Sequence, residues 1–434
     1  MLRLLAFVLV SFPAADTLDR LRPASADGWL ASHIEPLVEL YKDLHRQPEL
    51  SFQEEKTAAR IAGELRQAGA EVTTGVGHHG VVAVIRNAKG PTVLVRSDMD
   101  ALPVKEETGV PYASRATATD REGKTVSVMH ACGHDVHMAC LVGTARWLAD
   151  HRDRWSGTVV LIGQPAEEAI GGAKAMLADG LYTRFPKPDF ALAQHVTNDQ
   201  PTGTVAYTSG PALAGSTSVN VTIRGRGGHG ASPHLTVDPI VLAAEVVVDL
   251  QSIVSRECDP LQPAVVTVGS IHGGTKHNII PDEVRLQLTL RAYGEEVRAK
   301  LIQGIQRRIK GLAAAHNAPE PTFEILESTP PTINTPTLVE RVVPLLRQEL
   351  GSDRVVPVPP VMGAEDFGLY GQEGVPTFMF RLGTLEPERL KTLRESRAGL
   401  PSLHSSKYYP DPAPSIETGV RAMTAAVVGL LPAR

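Results

Sequence analysis

A ten-residue stretch of the chain contains one thiol, three imidazoles and one carboxylate. It runs from Met129 to Met138 and reads MHACGHDVHM. Cysteine thiolates and imidazole nitrogens are preferred ligands of zinc and of its first-row neighbours. Gly133 separates Cys132 from His134, and a glycine lets the backbone bend so that both side chains converge on one ion. The segment predicts a metal site, although a buried cysteine, a capping aspartate and surface histidines are the alternative interpretation.

Polar side chains follow several predicted strands at the point where each strand ends. The short apolar runs that predict buried strands are residues 92–96, 158–162, 190–193 and 377–380. The side chains that follow the first three runs are Asp98 and Asp100, Glu167 and Glu168, and His195. In an open α/β sheet, ligands bind outside the carboxyl ends of the strands. The pattern therefore predicts a site at this sheet edge, although polar residues are common in loops of any kind.

Glu167 and Glu168 are adjacent, and two neighbouring carboxylates suit a division of labour. One can bind a metal ion while the other accepts a proton from the attacking water. The alternative is an acidic pair that stabilises the start of the following helix. His404 lies far along the chain in a polar loop, where it could complete a ligand set or be an ordinary surface histidine.

Six short motifs occur in one order along the chain and cover nearly all of it after about Trp29. They are residues 96–103 (RSDMDALP), 130–135 (HACGHD), 165–168 (PAEE), 227–234 (GGHGASPH), 277–282 (HNIIPD) and 363–367 (GAEDF). With these motifs the chain resembles the aminoacylase and carboxypeptidase clan of dinuclear metallohydrolases. The similar branch contains hippurate hydrolase, N-acetyl-diaminopimelate deacetylase and the plant hydrolases of indoleacetyl-amino acid conjugates.

The resemblance implies a ligand set for two divalent cations per subunit, Zn²⁺ or Mn²⁺. The implied ligands are Cys132, His134, Glu168, His195 and His404. It also implies that Glu167 is the general base. Elsewhere in the clan a metal-binding histidine occupies the position of Arg96, so we expect Asp98 to orient a neighbouring imidazole rather than to bind metal. Asp135 and His137 stay open between such an orienting role and packing.

The middle of the chain predicts a separate module. Its predicted order, β-α-β-β-α-β, is the ferredoxin-like arrangement. The predicted strands are residues 218–224, 264–271, 284–291 and 322–326, and the predicted helices are residues 238–255 and 295–316. The resemblance implies a lid domain here that mediates homodimer or higher homo-oligomer formation. We therefore expect an α/β fold, with a discontinuous zinc-peptidase-like catalytic domain (27–208 and 328–434) and an inserted α+β lid and dimerisation domain (209–327).

The predicted lid carries its own polar candidates. The resemblance implies that His229 reaches a partner's active site and stabilises the developing oxyanion. The alternative is a turn residue, since His229 lies in a glycine-rich loop. Asn278 and Arg291 are candidates for binding a substrate carboxylate, the arginine through two parallel hydrogen bonds. Arg291 could instead be a solvent-facing strand residue.

Composition agrees with this architecture and excludes some functions. A chain of 434 residues is long enough for two domains, and its 42% hydrophobic content with 38 Gly and 33 Pro is typical of a loop-rich α/β protein. A formal charge of −5 indicates no polybasic surface, so nucleic-acid binding is not expected. Three cysteines argue against a disulfide framework.

The N-terminus predicts a signal peptide and leader over residues 1–26. Arg3 precedes an apolar run at residues 4–10 and a segment of small residues, with cleavage expected after Ala15 or Ala26. The run is too short for a membrane span, so no stable span is expected. We expect export to the periplasm or the medium. The alternative is a cytoplasmic protein in which this segment is an apolar core helix or an unprocessed tail.

The function that follows is a metal-dependent amidohydrolase that cleaves small amides of the N-acyl amino acid class, such as hippurate-like, N-acetyl or indoleacetyl conjugates. A dipeptidase or carboxypeptidase of the same clan is the alternative, since it shares the metals and the mechanism. A non-catalytic binding protein on the same fold would have lost Glu167 or a ligand, and this chain has lost none. A thiol hydrolase is disfavoured because coordination would occupy the Cys132 thiolate.

Overall fold

The computed structural model describes residues 27–397 and 399–433. The helices of this part are α1 (Asp27–Arg46), α2 (Glu55–Gln67), α3 (His134–Asp150), α4 (Gly172–Ala178), α5 (Leu181–Arg184), α6 (Pro239–Ser252), α7 (Glu295–Ala315), α8 (Pro336–Leu350), α9 (Gly368–Gln372), α10 (Pro387–Glu395) and α11 (Pro412–Leu430). The predicted signal peptide, residues 1–26, lies outside the described residues. No described helix is both long and apolar enough to cross a membrane.

The strands of the same part form one large sheet, one sheet of four strands and three two-stranded pairs. They are β1 (Glu71–Val76), β2 (Gly80–Asn87), β3 (Thr92–Asp98), β4 (Thr117–Thr119), β5 (Thr125–Ser127), β6 (Gly157–Gln164), β7 (Phe190–Pro201), β8 (Val205–Tyr207), β9 (Gly210–Leu213), β10 (Gly215–Arg224), β11 (Gly228–His229), β12 (Ala264–Gly273), β13 (Ile279–Ile280), β14 (Glu283–Ala292), β15 (Thr322–Thr329), β16 (Thr332–Asn334), β17 (Val355–Pro357) and β18 (Thr377–Leu385).

The large sheet has the strand order β1-β2-β6-β3-β7-β18-β8-β17. Its central strands β6, β3, β7 and β18 are parallel to their neighbours within this group. They are the four strands predicted from the apolar runs, and that prediction is confirmed. Each extends further towards its carboxyl end than the apolar run, because the strand continues into the polar residues of the site.

Helices cover both faces of this sheet, which explains why the central strands are almost wholly apolar. Side chains of α1, α3, α8 and α11 pack in the core on one face, together with Phe378 and Phe380. Side chains of α4 and α9 pack on the other face, together with Ala193 and Met379. Because side chains alternate along a strand, every second residue of β7 and β18 points to the face of α4 and α9.

The four-stranded sheet has the order β12-β14-β10-β15 and is antiparallel throughout. Helices α6 and α7 pack on one of its faces, where every second residue of β14 from Val284 to Ala292 is buried. The order of its elements is β-α-β-β-α-β, so the predicted ferredoxin-like insertion is confirmed. The predicted domain limits, 209 and 327, stay a prediction.

Candidate metal centre

Six side chains of the predicted site converge beyond the carboxyl ends of the central strands. Nε2 of His404 lies 3.3 Å from Sγ of Cys132 and 3.3 Å from Oε1 of Glu168. Sγ of Cys132 lies 3.5 Å from Nε2 of His195. Nε2 of His134 lies 4.0 Å from Oε1 of Glu168 and 4.0 Å from Oε2 of Glu167, the sixth residue. The structure thus brings together side chains that are up to 272 residues apart in sequence.

Local backbone geometry explains how Cys132 and His134 come to face one centre. Gly133 between them has φ 75° and precedes helix α3, so the chain turns sharply there. A Cβ at Gly133 would lie 2.7 Å from Cγ2 of Val196, which leaves no room for another residue. The Nδ1–H of His134 donates to the carbonyl of Asp100 at 2.8 Å, so its Nε2 faces the centre.

The turn after β6 presents the two glutamates. The amides of Glu167 and Glu168 both donate to the carboxylate of Asp100, at 3.1 and 3.0 Å. The amide of Ala166, a residue with φ 49°, donates to Glu54 at 2.7 Å. Buried carboxylates of other segments therefore hold this turn by its backbone, which leaves both glutamate side chains directed at the centre.

The two histidines from other segments are held in different ways. The amide of His404 donates to the carbonyl of Ala131 at 2.9 Å, so the loop of His404 is tied to the segment of Cys132. The Nδ1–H of His195 donates to the carbonyl of Val196 at 2.8 Å. Neither ring nitrogen of His137 is available to bind a metal ion. Its Nδ1–H donates to Asp98 at 2.5 Å, and its Nε2 accepts from the Val196 amide at 2.8 Å. His137 is therefore a packing and orienting residue.

A buried arginine organises the floor of the centre, and sequence reasoning gave it no role. The terminal nitrogens of Arg96 donate to three carboxylates, those of Asp98 at 2.6 Å, Glu365 at 2.7 Å and Asp366 at 3.1 Å. The Nε–H of Arg96 donates to the side-chain oxygen of Gln164 at 2.9 Å. Asp98 thereby joins Arg96 to His137 and lies 3.5 Å from Nε2 of His134. The motif GAEDF was the available signal for Glu365 and Asp366, but nothing in it names Arg96 as the partner.

The electrostatics of the protein groups favour a cation between them. Burial raises the pKa of the Cys132 thiol well above its usual range, and the carboxylates of Glu168 and Glu167 raise it further. Burial, Glu365 and Glu168 likewise raise the pKa of Glu167. For His134 burial acts downwards, but Asp98 and Asp100 outweigh it and raise the pKa to about 10. Crowded acidic groups of this kind are stabilised by added positive charge.

Two buried polar atoms of this cluster lack a hydrogen-bond partner among the described residues, as expected of atoms that bind a metal ion. Nε2 of His134 and Oε1 of Glu168 are buried and have no hydrogen-bond partner in the described part of the chain. A buried polar atom without a partner is costly, so such atoms are normally satisfied by a bound group. The donor set of sulfur, imidazole nitrogen and carboxylate oxygen suits zinc and neighbouring transition metals. The residues present therefore fit a metal site.

The three candidates of the lid are placed elsewhere. His229 is exposed in β11, which pairs with β13, and its Nδ1 accepts from the amide of Ala231 at 3.0 Å. The carbonyl of Asn278 accepts from the amide of Gly230 at 2.9 Å, so Asn278 lies beside this loop. Arg291 is half-buried in β14, and burial lowers its pKa. Within the described residues, no hydrogen bond or ion pair joins these three to the metal centre.

Comparison with known proteins matches this chain to one family. The model of peptidase family M20/M25/M40 matches residues 94–405. The chain belongs to this family. The predicted family and the predicted class, a metal-dependent hydrolase, are therefore confirmed.

Individual relatives support the assignment over most of their length. The chain is 36% identical to thermostable carboxypeptidase 1 of Saccharolobus solfataricus, over 86% of this chain and 90% of that protein. It is 35% identical to the N-acetylcysteine deacetylase of Bacillus subtilis, over 80% and 88% respectively. It matches the crystal structure of the Bacillus subtilis YXEP protein, a dinuclear metal binding peptidase of the M20 family, with a TM-score of 0.74 and 29% identity. That match covers 92% of this chain and 99% of the other.

Proposed function

We propose that this chain is an amidohydrolase that cleaves the amide bond of N-acyl amino acids, such as hippurate-like, N-acetyl or indoleacetyl conjugates. The observation that carries the proposal is the cluster of one thiol, three imidazoles and two carboxylates, with orphaned buried atoms on His134 and Glu168. An N-acetylcysteine deacetylase among the relatives supports this substrate class.

We assign the ligands of two divalent cations, Zn²⁺ or Mn²⁺, to five residues: Cys132, His134, Glu168, His195 and His404. The buried network of Asp98, His137 and Arg96 would hold the imidazoles and the floor of the site in place, as residues behind metal ligands commonly do. When bound, the cations would activate water as a nucleophile and polarise the amide carbonyl.

Glu167 is the general base of the proposed reaction. Its carboxylate is not used in any hydrogen bond of the described part, and its backbone is fixed by Asp100. It would accept the proton of the attacking water and return it to the leaving nitrogen, which departs as the amine of the amino acid. Between these two steps the carboxyl group of Glu167 would hold the proton, so one residue would act first as base and then as acid.

The lid would complete the site. We propose that His229 stabilises the oxyanion in a partner's active site, that Asn278 and Arg291 bind a substrate carboxylate, and that the lid mediates dimer formation. His229 lies in β11, and Asn278 directly precedes β13, the strand that pairs with β11; both residues are exposed. We further propose that residues 1–26 direct export, which cell fractionation of the full-length chain would test.

A hydrolysis screen tests the proposal. The protein is loaded with Zn²⁺ or Mn²⁺ and assayed on N-acetyl, N-benzoyl and indoleacetyl amino acids and on a panel of dipeptides. Preferred cleavage of the acylated amino acids supports the proposed activity. A clear preference for dipeptides would favour the carboxypeptidase or dipeptidase alternative, which the similarity to a thermostable carboxypeptidase supports. Cleavage of neither class would contradict both.

A further inference from the structure

Arg381 lies next to His195 in the sheet, and its side chain points to the same face of the sheet. It is the register partner of His195 in the parallel pair of β18 and β7. Paired residues of adjacent parallel strands point to the same face, with the strands about 4.8 Å apart. Two residues earlier, Ala193 and Met379 are also partners, and both pack in the core on the face of α4 and α9. The side chain of Arg381 therefore leaves the sheet next to that of His195.

The guanidinium of Arg381 is half-buried but poorly compensated. Its Nη2 donates to the carbonyl of Pro359 at 3.1 Å, and this is its one hydrogen bond within the described residues. No carboxylate oxygen of that part of the chain lies within 4.0 Å of its guanidinium nitrogens. Burial lowers the pKa of Arg381, and Asp199 opposes this only from a greater distance. A half-buried cation without an acidic partner is a candidate for binding an anionic ligand.

Arg96, the other arginine of this region, differs in this respect. Three carboxylates surround its guanidinium, and together they outweigh burial and raise its pKa. Its donors are therefore occupied by the protein itself. Arg381, in contrast, makes one hydrogen bond within the described residues and has guanidinium donors left for a substrate.

Arg381 is also close to the lid. Tyr293 follows lid strand β14 directly and is near enough to act electrostatically on Arg381. Arg291 precedes Tyr293 by two residues and is likewise half-buried. Arg381, the register partner of His195, is therefore also within electrostatic range of the residue that follows the lid strand of Arg291.

We propose that Arg381, in addition to the proposed lid residues Asn278 and Arg291, binds the carboxylate of the amino acid portion of the substrate, and that it thereby selects acyl amino acids with a free carboxylate. This inference rests on the proposed function. In an α-amino acid one carbon atom separates the scissile nitrogen from the carboxylate, so an anion site is needed close to the centre. A guanidinium binds a carboxylate through two parallel hydrogen bonds, and partial burial strengthens that interaction relative to water.

Two substrates that differ only in charge test the proposal, namely an N-acetyl amino acid and its carboxamide. The values of kcat and KM are measured for the metal-loaded wild type, Arg381→Gln, Arg381→Lys and the control Arg347→Gln. Arg347 is half-buried on α8 and donates to the hydroxyl of Tyr207, outside the site. We expect Arg381→Gln to lower kcat/KM for the acid roughly 10- to 100-fold, mainly through KM, and to leave the amide within about twofold.

The remaining variants separate charge from structure. Arg381→Lys should recover part of the preference for the acid, because it keeps the charge but loses the paired geometry. Arg347→Gln should change neither substrate. An equal loss on acid and amide would show that Arg381 is structural, and an unchanged preference in Arg381→Gln would leave the carboxylate to the lid residues Asn278 and Arg291 alone. Either result overturns the proposal.

Calorimetry separates a failure of this inference from a failure of the proposed function. Binding of the N-acetyl amino acid is measured on the metal-loaded wild type and on Arg381→Gln. If the wild type binds the acid without cleaving any acylated amino acid, and Arg381→Gln binds it at least 10-fold more weakly, the proposed function is wrong but the role of Arg381 holds. If the wild type does not bind the acid, both are overturned.

Discussion

At the scale of single residues, the centre is held by atoms whose partners lie far away in sequence. His134, Glu167 and Glu168 all depend on Asp100, through its carbonyl or its carboxylate. Asp100 is one of the carboxylates that follow the predicted strand at residues 92–96, but sequence reasoning gave it no separate role. One buried aspartate, through its carbonyl and its carboxylate, thus sets the position of two proposed ligands and of the proposed base.

The first prediction concerns the assigned base. Glu167→Gln should bind metal as the wild type does but lose roughly 10²- to 10⁴-fold in kcat, because the amide cannot accept the proton while Glu168 still coordinates. Metal analysis and steady-state kinetics on an acylated amino acid check this. Wild-type turnover in a fully metal-loaded Glu167→Gln protein would remove Glu167 from the mechanism.

The second prediction concerns metal content. Cys132→Ser and His404→Ala should each bind less metal than the wild type, since each change removes a proposed donor. Equilibrium dialysis followed by elemental analysis measures the stoichiometry. His151→Gln is the matched control, because His151 follows α3 directly, its Nδ1–H donates to the carbonyl of Trp147 at 2.9 Å, and it is not assigned as a ligand. Unchanged metal content in both ligand variants would contradict the assigned set.

The third prediction concerns a buried histidine behind the centre. His45 contacts Asp135 at 2.6 Å and Glu106 at 3.1 Å. Burial acts to lower its pKa, but the two carboxylates outweigh burial and raise it to about 9. Because the folded pKa lies above the usual 6.5, the stabilisation is fully present below pH 6.5 and is lost as pH rises through about 9.

Thermal unfolding tests this pH dependence. The wild type and His45→Gln are compared at several pH values after a chelator has removed bound metal. The stability advantage of the wild type over the variant should shrink by up to about 3 kcal/mol between pH 6 and pH 9.5. Glu35→Gln on the same helix α1 is a control for the loss of one surface charge. A difference between wild type and His45→Gln that stays constant with pH would show that His45 is not protonated in the folded state.

At the scale of elements, the turns that follow strands and those that precede helices decide the geometry of the centre. Gly133 is the clearest case, because its φ of 75° and the 2.7 Å approach of Val196 both exclude a side chain. A left-handed conformation alone costs an ordinary residue about 1–2 kcal/mol. The contact with Val196 adds a shift of the segment that carries Cys132 and His134.

The fourth prediction separates the cost of the left-handed backbone from the cost of the contact with Val196. Gly133→Ala should lower stability and metal affinity together, because it displaces two proposed ligands. Gly109→Ala is the matched control, since Gly109 has φ 76° with no atom within 4 Å of the added Cβ. The control should show the cost of the backbone conformation alone, with metal affinity unchanged. Equal effects of the two changes on metal binding, measured by competition with a chromophoric chelator, would contradict the steric argument.

Elements with a strong local signal were predictable from sequence, and those without one were not. The parallel strands β3, β6, β7 and β18 are continuous apolar runs, and the lid elements alternate with the period of a strand or a helix. Short pairs such as β4 with β5 and β9 with β16 have three or four residues each, which is too few for a period to be recognised.

The residues of the site likewise include some that the sequence predicts and some that it does not. Cys132 and His134 were recognisable because the ligand types are adjacent, and His404 was recognisable from the family resemblance. The partnership of Arg96 with Glu365 spans 269 residues, and that of His45 with Asp135 spans 90. Such pairs form only after β3 and α3 have packed with distant segments, so no local pattern encodes them. The anion site proposed at Arg381 likewise depends on strand register and on burial.

At the scale of the whole molecule, the centre and the lid candidates lie in different parts of the fold. The proposed base lies in the turn that follows β6 of the large sheet, whereas His229 is exposed in the two-stranded pair of β11 and β13 with no described bond to the centre. For catalysis, the hydrogen-bond donor that stabilises the oxyanion and the proton acceptor must act on the same substrate amide. If the lid of one subunit serves the centre of its partner in a dimer, as we propose, the two groups come from different chains.

The last prediction follows from that shared site. His229→Ala and Glu167→Gln should each be nearly inactive as pure proteins, for different reasons. After subunit exchange a mixed dimer contains one site in which both groups are intact, so a one-to-one mixture should exceed the summed parental activities and approach about a quarter of the wild-type rate if subunits pair at random. Exchange is verified with two differently tagged chains. A verified mixture without recovery would place His229 in its own subunit's site or in a turn with no catalytic part. Recovery would show that Glu167, the proton acceptor, and His229, the hydrogen-bond donor to the oxyanion, come from separate subunits.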